Sequence, residues 1–464
     1  HSNLEPEQQT WHSKLVSENW DAPIVLTTMV QFLETLLSGG TRGVRRLHQL
    51  ANSVIVFDEI QTLPVNCIHL FNNSLNYLAA HCRTTAVLCT ATQPLLHKVK
   101  NAEKGRLHLV DGNELMPNVT GLFNELKRVE ILDKTKPLGW SLEEITNLAI
   151  EEVKEKQSCL IIVNTKSWAQ ALFMALQQSG VVEAESLIHL STAQCPAHRK
   201  ALLATVRQRL DDQLPVLCIS TQLIEAGVDV DFASVIRFLA GLDSLAQAAG
   251  RCNRNGKLPT SVVHVINPDR ETVDLLPDIK TGQAATKRIF NEFKGQDFLK
   301  PEVMQQYFQY YFFERSDQMH YPLKATAASG ENNLLNLLSV NKNNPNGDVR
   351  LTLHHAFMTA GKAFKAIDAP TQSLIVPYHE GKTLITELCK VNKQFDAQLY
   401  YQLLRKLQKY SVNLFPNVWL KLQQQNAIYE IAEGEGIFYL DERFYSEDFG
   451  VCTQPCAEQQ VLVF

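Results

Sequence analysis

Residues 243–256 read DSLAQAAGRCNRNG, within a chain of 464 residues. If Asp243 or Ser244 caps a helix here, Gln247, Arg251 and Arg254 fall at i, i+4 and i+7 on one helical face. An amide and two guanidiniums so arranged suit the charge that develops on a transferred phosphoryl group. The bland alternative is a solvated basic face, and this stretch alone does not exclude it.

Working upstream, STQLIEAGVDVDF (220–232) follows an apolar run, 215–219, that reads as a strand. Ser220, Thr221 and Gln222 could hydrogen-bond a phosphodiester backbone at its end. Gly227 would allow close approach to a ligand, and Asp229 would offer a carboxylate to a ribose hydroxyl. Further back, VIVFDEI (54–60) is a buried-type strand ending in two carboxylates. α/β folds bind ligands at such strand ends. There Asp58 would hold Mg²⁺ through its water shell, and Glu59 would polarise the water attacking a γ-phosphate. In LCTATQP (88–94), Thr90 and Thr92 place two hydroxyls at another strand end, able to bridge carboxylates and backbone. Taken singly, each piece has an ordinary reading: a solvated strand end, a Thr-rich turn, a polar loop. A second acidic dipeptide, Asp441-Glu442, shows how little one such pair means.

The surrounding pattern is α/β. From about residue 24 to 266, short apolar runs alternate with helical periodicity, as βα units of parallel sheets do. Strands are expected at 54–57, 86–90, 159–163, 186–190, 216–220, 234–238 and 261–266, with helices at 167–178 and 197–209. Ile24–Leu26 leads into a helix starting at Thr28, where Thr-x-x-Gln to Gln31 resembles a capping box. Residues 283–313 read as helical and end in an aromatic run, Tyr307 to Phe313, whose plain meaning is packing surface, with base stacking as the alternative. Residues 326–350 have loop composition. The last stretch mixes helices (353–366, 397–410) with strands (373–376, 436–440). The expected fold class is therefore α/β, with two parallel-sheet domains and a smaller α+β C-terminal domain. Boundaries fall at 1–136, 137–270, 271–350 (a helical linker) and 351–464.

Composition constrains the partners. Hydrophobic residues make up 45% and charged residues 20%, with net charge -5, so a nucleic-acid path has to be a local basic track. Arg42, Arg45, Arg46, Arg405, Lys406 and Lys409 are candidates for it, though such residues more often form solvated faces. Ten cysteines show no disulfide framework, which fits a reducing cytoplasm; Cys452 and Cys456 form a C-x3-C without a second pair at zinc-like spacing. No apolar run is long enough for a membrane helix, and the start lacks signal-peptide character. The chain opens without methionine, as a processed, engineered or truncated piece would.

The motif order is strand–DE, TAT, S-T-Q-x-x-x-A-G-x-D, then Q-x-x-G-R-x-x-R. In this order the chain resembles superfamily 2 helicases, with DEIQ (58–61) at the DEAD/DEAH-box position. LIIVNTKSWAQAL (160–172), IHLSTAQCPAHRK (188–200), TTMVQFLETL (27–36) and the C-terminal segments AFMTAGKAFKAID, LIVPY, LRKLQKYSVNLFP and YSEDFGV are similar to the CRISPR-associated helicase–nuclease of type I systems, in particular its type I-C branch. That resemblance implies two RecA-like domains and an accessory C-terminal domain behind a metal-dependent HD nuclease. It implies ATP and Mg²⁺ as cofactors. It also implies recruitment by a type I CRISPR RNA-guided effector complex, and unwinding and degradation of target DNA in antiviral defence.

Carried over, Asp58 and Glu59 are the Mg²⁺ and water-activating carboxylates. Gln61, Thr90 and Thr92 couple hydrolysis to movement. Gln247, Arg251 and Arg254 reach ATP alongside Gly227 and Asp229. Thr27, Thr28, Ser191, Ser220 and Thr221 touch single-stranded DNA through its backbone.

Two departures qualify this. The sequence contains no G-x4-G-K-[ST] phosphate loop; Gly381-Lys382-Thr383 has Val376 where the first glycine belongs. It also contains no His-Asp dipeptide, so the nuclease centre is absent from it. Expected from this are a first sheet truncated at its N-terminal side, with an exposed edge, and a missing upstream nuclease and phosphate-loop (Walker A) segment. A non-catalytic binding fragment and a general superfamily 2 helicase outside CRISPR immunity are the rival readings.

Overall fold

The computed structural model describes residues 11–90, 94–110, 112–324, 332–341, 354–366, 370–391 and 396–456. They divide into two compact units, one of residues 1–122 and 300–368 and the other of residues 123–299 and 369–464. Among the described residues no helix is long and apolar enough to cross a membrane.

The second unit is built on a six-stranded, wholly parallel sheet. Its strands are β3 (Val129–Asp133), β4 (Ser158–Ile162), β5 (Leu187–Leu190), β6 (Val216–Ser220), β7 (Ser234–Phe238) and β8 (Ser261–Ile266), in the order β3-β8-β7-β4-β6-β5. β4, β6 and β7 are buried at every residue, which is what continuous apolar runs such as SCLII and VLCIS require when helices cover both faces. The helices Leu142–Lys156 and Lys166–Ser179 supply one cover: Ile145, Ala149, Leu172 and Leu176 pack with Ile161, Ile219 and Ile236. The first begins in a full capping box, Ser141 with Glu144, and the second at Thr165, whose hydroxyl accepts the Trp168 N–H.

Joined to this sheet is a four-stranded one, Ser411–Leu414, Gln372–Ile375, Phe438–Leu440 and Ile428–Glu430 in spatial order. Its core packs the helices Glu380–Lys390 and Ala397–Leu407 through Leu384, Leu388, Tyr400 and Leu403. A terminal hairpin, Tyr445–Ser446 paired with Gly450–Val451, closes on the turn after β5. There Val451 N–H donates to Ala193 O at 2.9 Å, and the Gln194 amide donates to Asp448 O at 2.9 Å.

The first unit holds a two-stranded parallel sheet, β1 (Val54–Phe57) with β2 (Thr85–Leu88), joined through the helix Ile68–His81. Phe57 packs edge-on against Phe32 and Phe71, at 5.0 and 5.1 Å between ring centres. Ile24–Leu26 is not a strand. The helix that follows is Met29–Leu37, and Thr28 caps it by accepting the Gln31 N–H. Gln31 turns its own side chain to Glu34 and Arg46, so only half of the expected box forms.

The expected division of the chain needs three corrections. Val129–Asp133, placed before the boundary at 136, pairs with β8 over five residues and so belongs to the second sheet. The helical stretch 283–313 is two helices, Pro277–Glu292 and Pro301–Glu314: the first ends before Gly295, which takes φ +79°, and Pro301 opens the second in its first turn, where its missing N–H is not needed. The first of these falls in the second unit and the second in the first, so 271–350 is no separate linker. The C-terminal stretch has a four-stranded sheet and a hydrophobic core distinct from those of the six-stranded sheet, as a smaller α+β domain requires. In the aromatic run, Tyr307, Phe308 and Phe312 are buried, which is the packing reading rather than base stacking. Much of the expected loop 326–350 lies outside the described residues.

Candidate functional site

At the carboxyl ends of β1 and β2 the motif residues meet. Asp58 is exposed and accepts the Glu59 N–H through Oδ1 at 3.1 Å. Glu59 sits in the left-handed region (φ 53°, ψ 46°), a conformation costing a non-glycine residue on the order of 1 kcal/mol. That turn swings its carboxylate toward Gln61, whose amide donates to Glu59 Oε2 and whose Oε1 accepts the Thr90 hydroxyl. A hydrogen-bonded line therefore runs from the second carboxylate of one strand to the hydroxyl of the next. Thr92 lies outside the described residues.

Among the described residues no group of three or more His, Cys, Asp or Glu could hold a metal ion. One exposed carboxylate, Asp58, fits Mg²⁺ only where phosphate oxygens and waters complete the shell, that is, an ion arriving with a nucleotide.

In the second unit the loops after β6 and β7 carry the other motifs. Gly227 adopts φ +72°, the conformation for which glycine is suited, and a Cβ there would meet open space. Asp229 is exposed and pairs with Arg254 Nε at 2.9 Å. The Arg254 N–H and Asn255 N–H donate to Asp231. The helix that carries Gln247 is shorter than expected: it is capped by Gly241, not by Asp243 or Ser244, and ends at Ala249. Arg251 and Arg254 thus stand on the turns that follow, not on a helical face with Gln247. Arg251 is buried, and its guanidinium donates to the carbonyls of Ile224 and Glu225, with one contact at 2.6 Å. It braces the neighbouring loop rather than reaching outward, whereas Arg254 is the guanidinium on the surface.

The residues expected to touch DNA fall into two groups. Thr27 and Thr28 are exposed, Thr28 with its hydroxyl engaged as a cap. Ser191, Ser220 and Thr221 are buried, the Ser220 side chain completely. The Ser220 hydroxyl donates to Thr221 O and the Ser191 hydroxyl accepts the Ala193 N–H. The Ser191 and Ser220 hydroxyls are thus engaged within the strand-end turns. Among the basic candidates, Arg46 is a buried brace, donating to Glu18 O and Gln31 Oε1 at 2.8 Å each, while Arg45 is exposed.

Sequence reasoning missed Arg237, Glu225 and Asn164, which lie beneath these loops. Burial pushes the Glu225 carboxyl upward, opposed by the Arg237 guanidinium 2.7 Å away. The signal was present: one arginine inside the otherwise apolar strand SVIRF has to find a partner in the interior.

A six-stranded parallel sheet with the motif-bearing loops at its strand ends defines a chain of mixed α/β, RecA-like fold. Comparison narrows this further. Residues 155–257 match the family model for the C-terminal part of the CRISPR-associated nuclease/helicase Cas3. The CRISPR-associated nuclease/helicase Cas3 of Haloferax volcanii is 25% identical over 324 residues, covering 53% of this chain and 35% of that protein. That of Methanothermobacter thermautotrophicus is 25% identical over 290 residues, covering 59% and 33%. The crystal structure of T. fusca Cas3 superposes with a TM-score of 0.62 at 15% identity, covering 90% of this chain and 54% of that one. The chain is thus similar to Cas3 proteins in sequence and in fold, and the matches span about a third of the length of these curated relatives.

Proposed function

We propose that this chain is the motor part of an ATP-driven, single-stranded DNA translocase of the type I CRISPR helicase–nuclease kind. It would act in the cytoplasm in antiviral defence, recruited by an RNA-guided effector complex. The observation that carries the reading is the line Glu59–Gln61–Thr90, which ties a water-activating carboxylate to a neighbouring strand end whose position can change with the nucleotide. In the first unit Asp58 would hold Mg²⁺ through water and Glu59 would orient the attacking water; in the second, Arg254, Gln247, Gly227 and Asp229 would offer contacts to a nucleotide. Thr27 and Thr28 offer hydroxyls to a DNA backbone.

Support for nucleotide and partner comes from fold neighbours: T. fusca Cas3 structures titled with ADP and ATP, and a CRISPR RNA-guided surveillance complex before nicking, at TM-scores of 0.59, 0.56 and 0.57. Because the sequence holds no G-x4-G-K-[ST] loop to neutralise the β- and γ-phosphates, this chain alone should hydrolyse ATP poorly, and without an HD centre it should not cut DNA.

The test is ATP turnover with and without single-stranded DNA, for wild type and Glu59→Gln, alone and with a polypeptide carrying a phosphate loop. DNA-stimulated turnover that appears on addition and disappears in Glu59→Gln supports the proposal. Turnover indifferent to Glu59, or metal-dependent DNA cleavage by the chain itself, refutes it. The buried, carbonyl-bound Arg251 favours one rival, a non-catalytic binding module. In that case Glu59→Gln leaves every measured property unchanged.

A further inference from the structure

Arg237 lies in β7 with none of its surface exposed, and the site built above does not use it. Its guanidinium is the centre of a buried polar network. Nε pairs with Glu225 Oε1 at 2.7 Å. One terminal nitrogen donates to Asn164 Oδ1 at 2.6 Å and to the Phe238 carbonyl at 3.0 Å; the other donates to the Ser244 hydroxyl at 3.1 Å. Ser244 in turn donates to Glu225 Oε2 at 2.7 Å, and Asn164 donates to Leu239 O and Glu271.

Each partner belongs to a different segment at the carboxyl edge of the sheet. Asn164 follows β4. Glu225 stands in the loop after β6, two residues before Gly227 and four before Asp229. Ser244 opens the helix that carries Gln247. Glu225 is gripped a second time through its backbone, since its carbonyl accepts from Arg251 Nε and from a terminal nitrogen. One buried charge therefore fixes the loop bearing Asp229, the start of the Gln247 helix and, through Arg251, the turn bearing Arg254.

Stability alone is a weak reason for such an arrangement. Two desolvated charges gain little over well-packed apolar side chains of the same volume, whereas a branched, five-donor fork dictates relative position. We propose that Arg237 and Glu225 are positioning residues that hold the 222–229 loop and the 250–256 turn in register, and so place Asp229 and Arg254 together. The part of this that concerns nucleotide affinity rests on the function proposed above.

The experiment compares the whole chain with the paired variant Arg237→Met/Glu225→Met and with Arg237→Lys. The readouts are thermal melting, amide hydrogen exchange and binding of the fluorescent nucleotide mant-ATP in the presence of the phosphate-loop polypeptide. With both charges removed together, the melting temperature should stay near wild type. Exchange in 222–229 and 250–256 should rise about tenfold while β4 and β6 are unchanged, and mant-ATP affinity should fall about tenfold. Arg237→Lys keeps the charge without the fork, and should show the same local loosening should the paired variant fail to fold. Wild-type protection of both segments in either folded variant overturns the proposal, as does loosening spread evenly over β4 and β6. Local loosening in a chain whose wild type does not bind mant-ATP supports the positioning role and overturns the nucleotide reading instead.

Discussion

The two parallel sheets of this chain are written in the same alphabet and finish in different surroundings. β4 (SCLII) and β1 (VIVF) are both continuous apolar runs with no polar face, the composition of strands covered on both sides. In the six-stranded sheet that promise is kept, and every residue of β4 is buried. In the two-stranded sheet Phe57 is buried among Phe32 and Phe71, but Val54 and Val56 on the other face are 70% and 60% exposed. The lesson is that an apolar run specifies a strand and its pairing locally, while the cover over its second face has to come from elsewhere.

The comparison can be broken first where its energetic contrast is largest. Ile161→Ala removes a side chain with no exposed surface from the centre of the larger sheet, and should cost about 2 to 5 kcal/mol in equilibrium unfolding. A cost below about 1 kcal/mol would mean that the second unit's core is not close-packed.

Next comes the clasp between that sheet and the terminal hairpin. Gly450 has φ +77°, and a Cβ there would drive into the Ala193 backbone. Gly450→Ala should therefore destabilise the second unit by about 2 to 3 kcal/mol. The exchange of the Gln194 and Val451 amides should quicken before that of β4; if β4 loosens first, the hairpin is not an independent clasp.

Acid should find the same place. Two histidines sit at this junction. His189 donates from Nδ1 to Asp448 O at 3.1 Å, and His198 stacks on Tyr378 at 4.2 Å and meets the Tyr445 hydroxyl. Burial pushes both down to about 4, against hydrogen bonds that pull the other way; His198 and Lys166 add to the depression at His189, and His379 to that at His198. Between that value and the ordinary 6.5 the unfolded chain binds a proton that the folded chain refuses. Stability is thus full above about pH 6.5 and falls as pH drops toward 4, by about 2 kcal/mol per histidine at pH 5. Denaturant melts of wild type and His189→Asn at pH 7 and pH 5 check this: the variant should lose a smaller amount. An equal loss in both would assign the acid sensitivity to other groups.

What the sequence disclosed follows from the same contrast. Strands such as VLCIS and SVVHVI were legible because their burial is continuous, and the carboxylates after VIVF because a strand end needs no tertiary knowledge to locate. VEILD escaped notice as β3, since its alternating charges and place at the sheet's edge resemble a linker. The arginines were found, but their setting was not. Gly250 closes the helix before Arg251, and only the folded loop shows Arg251 turned inward to Glu225 and Arg254 outward to Asp229. Arg237 could be flagged by its strangeness in a strand, but its partners come from segments up to 75 residues away in sequence, which no local pattern encodes.

The smallest expected effect is the most informative about the first sheet. Val56→Thr changes a β-branched side chain for one of the same shape on a face open to water, and should move the unfolding free energy by less than about 0.5 kcal/mol. It should at the same time lower concentration-dependent light scattering, because an apolar sheet face beside an unpaired edge invites association. The same substitution at a covered position would bury a hydroxyl without a partner and cost about 1 to 3 kcal/mol. A loss of that size in this chain would mean that Val56 is covered in solution, by a second copy or by a segment outside the described residues, and the difference between the two sheets would vanish. A null effect on stability joined to reduced scattering would locate the association surface on β1, and would make Val54 and Val56 the positions at which to look for protection when a phosphate-loop polypeptide is added.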